Sequence, residues 1–190
     1  MIHSIPISIP YRNIDTDMIL SADFLKTTNK KGLGKHLFER VRDLEVFKNF
    51  RENTASQIII TLDNFGCGSS REHAVWALLD YGIRVVIAPS FSNIFYNNAV
   101  KNQLLPVVLP LEAVEKLLNF TENITVDLEN QQVKSSANKE LCYSFDMEPF
   151  WKKCLLEQKD QLDLLLSYQN DIRTYDKKKA ENLFFDISKI

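Results

Sequence analysis

The sequence predicts an α/β fold with a parallel βαβ core, to which antiparallel strands and C-terminal helices are added. Apolar runs at residues 58–62, 84–88 and 104–109 have the length and composition of buried strands. Segments with helical spacing separate these runs, as in βαβ units. After residue 123 the pattern changes to short strand-like segments joined by a tight turn. That change predicts an antiparallel meander beside the parallel core.

The first third of the chain predicts one strand and several irregular segments. Isoleucines alternate over residues 5–9, where Pro6 marks either a strand start or an edge position because proline cannot donate to a ladder. A short capped helix is predicted over 21–25. Residues 26–35 are a basic loop with two glycines, and 37–56 form a polar, irregular or short-helical connection.

The remaining elements follow from periodicity and turn signals. Residues 74–81 have helical spacing, and Gly82 follows where a helix commonly ends. Further helices are predicted from 89–92 to 100 and over 111–120, 148–158 and about 169–182, and strands over 124–128, 132–134 and 141–145, with a Lys-rich end that frays.

Composition bounds the class of protein. The 190 residues suit one large domain, which we divide into residues 1–150 and a helical extension over 151–190 packed on the same domain. A net charge of −2 argues against nucleic acid as the main partner. Three scattered cysteines without a CxxC motif indicate neither a disulfide framework nor a metal site. Without a signal peptide or a membrane-spanning run, we expect a soluble, non-secreted protein of the cytoplasm.

The most informative stretch is the turn between the strand at 58–62 and the helix at 74–81. Two of the five glycines, Gly66 and Gly68, flank Cys67 there. We expect Ser69, Ser70 and Arg71 at the helix start, where N–H groups and the helix dipole favour an anion. Arginine is unfavourable at that end of a helix unless an anion is bound, so a carboxylate or phosphate ligand is inferred.

Two simpler interpretations stand beside this one. Ser69-x-x-Glu72 matches a capping box, which would explain both residues without any ligand. Asp15-Thr16-Asp17 is typical of an Asx-turn or helix cap, although a carboxylate there could also orient an imidazole or accept a substrate hydroxyl.

A cysteine hydrolase is a weaker alternative for the same turn. Cys67 lies near a predicted helix start, which lowers the pKa of a thiol, and His73 is close in sequence. His73 is expected inside the helix, so its side chain need not face the thiol.

The motifs resemble those of the small subunits of 3-isopropylmalate dehydratase, a family of the aconitase superfamily. The resemblance covers about residues 10–150. It rests on Asn13-Ile14-Asp15-Thr16-Asp17, Gly32-Leu33-Gly34, Asn64-Phe65-Gly66-Cys67-Gly68-Ser69-Ser70-Arg71-Glu72-His73, Val86-Ile87-Ala88-Pro89-Ser90-Phe91 and Leu104-Leu105-Pro106-Val107.

The resemblance implies a fold, a reaction and a partner. The fold is the swivelling β/β/α domain, which we assign to residues 1–150. The reaction is the isomerisation of 2-isopropylmalate and 3-isopropylmalate through 2-isopropylmaleate, in leucine biosynthesis. The [4Fe–4S] cluster of such an enzyme belongs to a large subunit, so this chain binds no cofactor or metal and is half of an active site. Three scattered thiols agree with that division.

Roles for individual residues follow from matching positions. Ser69 matches the catalytic base, whose alkoxide must be stabilised because free serine is a very weak acid. Ser70 and Arg71 match positions that bind a substrate carboxylate. Asp17 matches a carboxylate at the site. The remaining matched positions are the substrate contacts Lys30 and Leu33 of the loop and the supporting residues Asp15, Thr16, Gly66 and Gly68.

The loop and the tail depart from the family pattern. Many members carry arginine before the Gly-x-Gly, whereas this chain has Lys30-Lys31, which keeps the charge but not the planar fork. The segment at 157–163 replaces a Gly-rich stretch of the relatives. Two alternatives remain: an isomerase subunit for a related substrate such as homoaconitate, citraconate or methylmalate, and a non-catalytic assembly module.

Overall fold

A computed structural model describes residues 1–26, 29–47, 50, 55–135 and 141–187, with side chains through Lys179. The strands are β1 Ile2–Ser4, β2 Ile7–Ile9, β3 Ile58–Thr61, β4 Val85–Ala88, β5 Leu105–Val108, β6 Ile124–Asp127, β7 Gln132–Ser135 and β8 Cys142–Ser144. The helices are α1 Thr16–Ile19, α2 His73–Tyr81, α3 Asn93–Lys101, α4 Leu111–Leu118, α5 Pro149–Glu157, α6 Gln161–Ser167 and α7 Gln169–Ile187. Short 3-10 turns lie at Ala22–Phe24, Gly34–His36 and Glu45–Phe47.

The parallel core is a four-stranded sheet in the order β2-β3-β4-β5. Its strands are short and apolar, and β3 and β4 are buried along their whole length. Continuous burial is expected of parallel strands, because crossover elements cover both faces of the sheet. The predicted parallel βαβ core is therefore confirmed.

A second four-stranded sheet is antiparallel and has the order β1-β6-β7-β8. The meander of β6, β7 and β8 was predicted. The strand β1 was not, because Pro6 lies at the junction of two strands that join different sheets. β2 is an edge strand of the parallel sheet, as Pro6 indicated, while β1 pairs with β6.

Alternate residues of the central strands point into two separate cores. Ile59 and Val86 pack with α2, α3 and the segment before β3, while Ile58 and Ile87 pack with α4 and the antiparallel sheet. The order of layers is therefore helices, parallel sheet, then α4 with the antiparallel sheet. The first of these cores holds the loops that build the site described below.

The C-terminal helices are more numerous than the sequence indicated. α5 and α7 were predicted, whereas α6 was not; its first turn is capped by Asp160, which accepts from the N–H of Asp163. Gln103 anchors α5 by donating to the carbonyls of Cys154 and Lys159. The division at residue 150 stays a prediction.

Some predicted segments extend beyond the described residues. The irregular connection over 37–56 includes 48, 49 and 51–54, the basic loop includes 27 and 28, and the frayed end includes 188–190. No helix in the described part of the chain is both long and apolar enough to cross a membrane.

Candidate functional site

The candidate site lies beyond the carboxyl ends of the parallel strands. The segments that follow β2, β3 and β4 meet there, which is where ligands generally bind in open parallel sheets. Backbone hydrogen bonds hold the first two segments together: Thr16 N–H donates to the Cys67 carbonyl at 2.9 Å, and Gly66 N–H donates to the Ile14 carbonyl at 2.7 Å. The two sequence motifs, 13–17 and 64–73, thus form one structural unit.

Glycine is favoured at positions 66 and 68 because other segments of the chain lie close to both and both have positive φ. Gly66 has φ of +75°, and a Cβ there would lie 2.1 Å from the ring of Phe95. Gly68 has φ of +95°, and a Cβ there would lie 3.3 Å from the Cβ of Asp15. The close contacts at both glycines are therefore made by neighbouring segments of the chain.

Ser69 is half-buried, and its hydroxyl contacts Thr16. The two Oγ atoms are 2.7 Å apart, and Thr16 is only 2% exposed. Thr16 is also the first residue of α1, where Asp15 caps the helix by accepting from the N–H of Met18. The supporting residues named from the sequence thus place a fixed hydroxyl beside the predicted base.

The predicted capping box is wrong. α2 begins at His73 after Glu72, and no side chain caps it. Ser69 therefore precedes the helix by several residues. Its hydroxyl contacts the Thr16 hydroxyl and does not cap the start of α2. His73, which was expected inside the helix, is its first residue. Ser69, Ser70 and Arg71 form a short connecting segment and not the first helical turn.

The anion beside Arg71 is supplied by the chain. Arg71 Nη2 donates to Asp17 Oδ2 at 2.9 Å, and Nη1 lies 2.5 Å from Oδ1 as an ion pair. Nη1 makes no well-angled hydrogen bond, so it retains donor capacity. The inference of a bound ligand from the helix dipole is therefore unnecessary, since Asp17 already neutralises the guanidinium.

The pair changes the titration of both groups. The hydrogen bond from Arg71 holds the pKa of Asp17 below its usual value, with a smaller opposing effect of burial, and the Ala22 N–H also donates to this carboxylate. Asp17 in turn raises the pKa of Arg71. Both charges are present at neutral pH, so Asp17 cannot act as an acid there.

Replacing Asp17 with asparagine is expected to lower the free energy of unfolding by at most about 1 kcal/mol, because its side chain is 42% exposed. Since the folded pKa is lowered, the wild-type advantage is complete above the unfolded pKa of about 3.9. It disappears as the pH falls through the lower folded value. Denaturant unfolding in steps from neutral to strongly acidic pH measures this.

The control for this change is Asp146→Asn, which removes an exposed carboxylate in the segment between β8 and α5. At neutral pH, Asp17→Asn should lower the free energy of unfolding more than Asp146→Asn does. In acid, the two variants should differ from the wild type by the same amount. A difference that stays constant down to strongly acidic pH would contradict the assigned pair.

Asn98 of α3 and Asn102, which directly follows that helix, hold the segment that carries the serines, and sequence reasoning missed both. Asn98 donates to the carbonyl of Ser70 at 3.3 Å, and Asn102 donates to the Glu72 carboxylate. Asn102 Oδ1 also accepts from the indole of Trp76 at 3.0 Å. The available signal was the spacing of four residues, which places both amides on one face if the predicted helix continues two residues beyond residue 100.

The basic loop contacts a different part of α2. Lys30 donates to Asn102 at 3.0 Å and lies 5.0 Å from the centre of the Trp76 ring. The N–H groups of Gly32 and Gly34 both donate to the carboxylate of Asp80. The loop is therefore anchored toward the end of α2 opposite Ser69.

Leu33 is largely buried in this structure. Its side chain is 4% exposed and packs in the core with α2. The structure brings Ser69, Arg71, Thr16 and Asp17 together but does not bring Leu33 to them. Its role as a substrate contact stays a prediction.

The chemistry around Cys67 does not favour a cysteine hydrolase. Burial raises the pKa of the Cys67 thiol, and the nearby charge of Asp15 raises it further. A nucleophilic cysteine requires the opposite shift, because the thiolate is the reactive form. His73 packs against Trp76 with ring centres 4.4 Å apart.

Metal-ligating side chains are dispersed through the fold. Cys67 is half-buried in the site, Cys142 is exposed on β8, and Cys154 is buried on α5, all as free thiols. Within the described ranges, no group of three or more His, Cys, Asp or Glu side chains is placed to hold a metal ion. The thiols of this chain therefore do not fit an iron–sulfur cluster.

The sequence is similar to a described domain family and to curated proteins. The family described as the aconitase C-terminal domain matches residues 7–112. Among curated proteins, the 3-isopropylmalate dehydratase small subunits of Parvibaculum lavamentivorans and Zymomonas mobilis are 46% and 51% identical. These matches cover 91% and 86% of this chain, and the same shares of the two relatives.

A solved structure shows the same architecture. The crystal structure of a 3-isopropylmalate dehydratase from Methanocaldococcus jannaschii matches with a TM-score of 0.68 at 25% identity. The match covers 94% of this chain and 98% of that one. The β/β/α arrangement expected from the sequence motifs is confirmed by this likeness.

Proposed function

Because this chain belongs to the family of 3-isopropylmalate dehydratase small subunits, we propose that it supplies the base and a carboxylate contact for that reaction. It is a hydro-lyase subunit that acts in leucine biosynthesis. The observation that supports the assignment of residues is the clustering of Ser69 and Arg71, each held by a neighbour from the 13–17 motif.

The reaction requires a base at one carbon and departure of a hydroxyl from the next. Dehydration of 2-isopropylmalate removes a proton and a hydroxyl from adjacent carbons and forms the double bond of 2-isopropylmaleate. Water then returns with the opposite placement of hydrogen and hydroxyl. Ser69, as the alkoxide, takes the proton, becomes the neutral alcohol, and gives a proton back during hydration.

The carboxylate next to the reacting carbon binds beside the base. The Arg71 side chain is 23% exposed and carries more N–H donors than Asp17 can accept from, and a guanidinium suits a carboxylate because it can donate from two atoms at once. Ser70 is exposed next to it and offers a hydroxyl. Asp17 fixes the direction of the guanidinium, so its part in binding is to orient Arg71.

The loop residues serve the other end of the substrate. Lys30 is exposed, and its ammonium group would bind a second carboxylate after leaving Asn102, while Leu33 offers an apolar surface for the isopropyl group. Since Leu33 is buried against α2 here, this contact requires the loop anchored by Asp80 to move when substrate binds.

The site is completed by a large subunit that carries the iron–sulfur cluster. The naming of the relatives as small subunits supports a large-subunit partner, and the scattered thiols of this chain support placing the cluster on that partner. The cluster supplies the electrophile that the hydroxyl group needs, and this chain supplies the base. The free thiols favour a reducing compartment, so we place the complex in the cytoplasm.

Reconstitution tests this function. The purified chain alone is expected to show no turnover, and addition of the cluster-bearing large subunit should give isomerisation of 2-isopropylmalate. The control is the large subunit alone. Co-purification without turnover on any dicarboxylate would instead indicate an assembly module.

A substrate panel separates the related isomerases. 2-Isopropylmalate should be converted with the highest kcat/KM, compared with homoaconitate, citraconate and methylmalate. A preference for one of the others would correct the substrate while retaining the chemistry.

A further inference from the structure

We propose that Thr16 is a positioning residue of the reaction, whose buried hydroxyl donates a hydrogen bond to the alkoxide of Ser69. This inference rests on the proposed function, because it assigns a stabilising group to the base named there. The observation that carries it is the 2.7 Å separation of the two Oγ atoms, with Thr16 only 2% exposed.

A serine base needs a donor, because its alkoxide is far less stable than the neutral alcohol near neutral pH. The capping box would have provided helix N–H groups for this purpose, but α2 begins only at His73 and Ser69 lies outside its first turn. The Thr16 hydroxyl lies within hydrogen-bond distance of Ser69 Oγ and can provide this donor. A neutral donor that meets a negative acceptor forms a stronger bond than two neutral groups do.

The backbone holds Thr16 in place independently of its hydroxyl. The Thr16 N–H donates to the Cys67 carbonyl at 2.9 Å, and the Thr16 carbonyl accepts from the N–H of Leu20 at 3.0 Å. Gly68 has φ of +95°, and a Cβ there would lie 3.3 Å from the Cβ of Asp15, the residue before Thr16. The hydroxyl is therefore preorganised, which is the condition for a donor to favour the charged form of the base.

The proposed proton transfer needs no additional acid or base. When Ser69 Oγ holds the substrate proton it is an alcohol and shares a neutral hydrogen bond with Thr16. When Ser69 gives the proton back, its oxygen becomes negative and Thr16 donates to it. Thr16 keeps its own proton throughout, so it tunes the base and does not touch the reacting carbon.

The test compares three variants in the reconstituted complex. Thr16→Val removes the hydroxyl and keeps the shape, Thr16→Ala removes it with less bulk, and Thr16→Ser retains it. We expect kcat to fall about tenfold in the first two with little change in KM, and to stay within about threefold in Thr16→Ser. Wild-type kcat in either variant without the hydroxyl would overturn the proposal.

A matched control separates this effect from ordinary destabilisation. Thr61→Val makes the same change at a buried threonine, whose hydroxyl donates to the Tyr11 carbonyl away from the base. It should lower thermal stability without lowering kcat. An equal loss of kcat in Thr61→Val would overturn the proposal, because it would trace the loss to packing.

Two further readouts depend on Ser69. With substrate deuterated at the carbon that loses the proton, Thr16→Val should raise the primary isotope effect on kcat, because the alkoxide of Ser69 is then less populated and proton removal becomes the slower step. In the background of Ser69→Ala, adding Thr16→Val should cost nothing more. A further tenfold loss in that background would show that Thr16 does not act through Ser69 and would overturn the proposal.

Failure of the proposed function is distinguishable from failure of this inference. If the wild-type complex does not isomerise any substrate of the panel, both fall. If the wild type is active and Ser69→Ala is inactive while Thr16→Val equals the wild type, only the role of Thr16 falls.

Discussion

Replacing Ser69 with alanine is expected to lower kcat of the reconstituted complex about a thousandfold or more, because it removes the group that takes the proton. KM should change little, since Arg71 and Ser70 remain to hold the carboxylate. The fold should also remain: Ser69 is only half-buried, and the loss of its bond to Thr16 costs about 1 kcal/mol. Steady-state rates beside thermal unfolding measure both effects.

The control for this variant is Ser167→Ala. Ser167 also loses a hydroxyl that makes a hydrogen bond, to the Leu164 carbonyl in α6, far along the chain from the site. Its kcat should equal that of the wild type. An unchanged rate in Ser69→Ala would show that another group is the base.

Replacing Arg71 with lysine is expected to lower kcat/KM about a hundredfold, mostly through a higher KM. Lysine keeps the charge but loses the planar fork that contacts Asp17 through two nitrogens and offers further donors to a carboxylate. A charged hydrogen bond contributes about 1.5–3 kcal/mol, which corresponds to this range. Stability should fall by less than about 1 kcal/mol, because the ion pair is partly exposed.

Arg84→Lys is the matched control for Arg71→Lys. Arg84 lies just beyond the other end of α2 and donates to the backbone carbonyls of Leu79 and Ile83. It makes the same chemical change without a carboxylate partner in the site, so KM should not change. If Arg71→Lys lowered the free energy of unfolding by more than it lowered the free energy of transition-state binding, the role of Arg71 would be structural.

The elements that could be predicted from the sequence are those with strong local signals. The apolar runs of β3, β4 and β5 predicted a parallel sheet because strands buried on both faces are apolar throughout. Gly82 marked the end of α2 in a left-handed conformation. By contrast, β1 was missed, because its partner β6 is more than a hundred residues away and the strand is only three residues long.

The start of α2 could not be predicted because long-range contacts decide it. The sequence Ser69-x-x-Glu72 matches a capping box locally. In the folded chain, however, the Ser69 hydroxyl contacts Thr16, and the Glu72 carboxylate accepts from Asn102. Similarly, Arg71 finds its anion in Asp17, 54 residues earlier. Motif matching named Asp17, Thr16, Ser69 and Arg71 as site residues, and the pairs that they form could be read only from the folded chain.

Competition between active and inactive chains tests the central claim most directly. The claim is that this chain gives a base to an active site which a large subunit completes. Ser69→Ala chain should still bind the large subunit, so mixing it with the wild-type chain at a limiting amount of partner should lower turnover in proportion to its share. Turnover that does not fall, even with a large excess of the variant, would contradict the account.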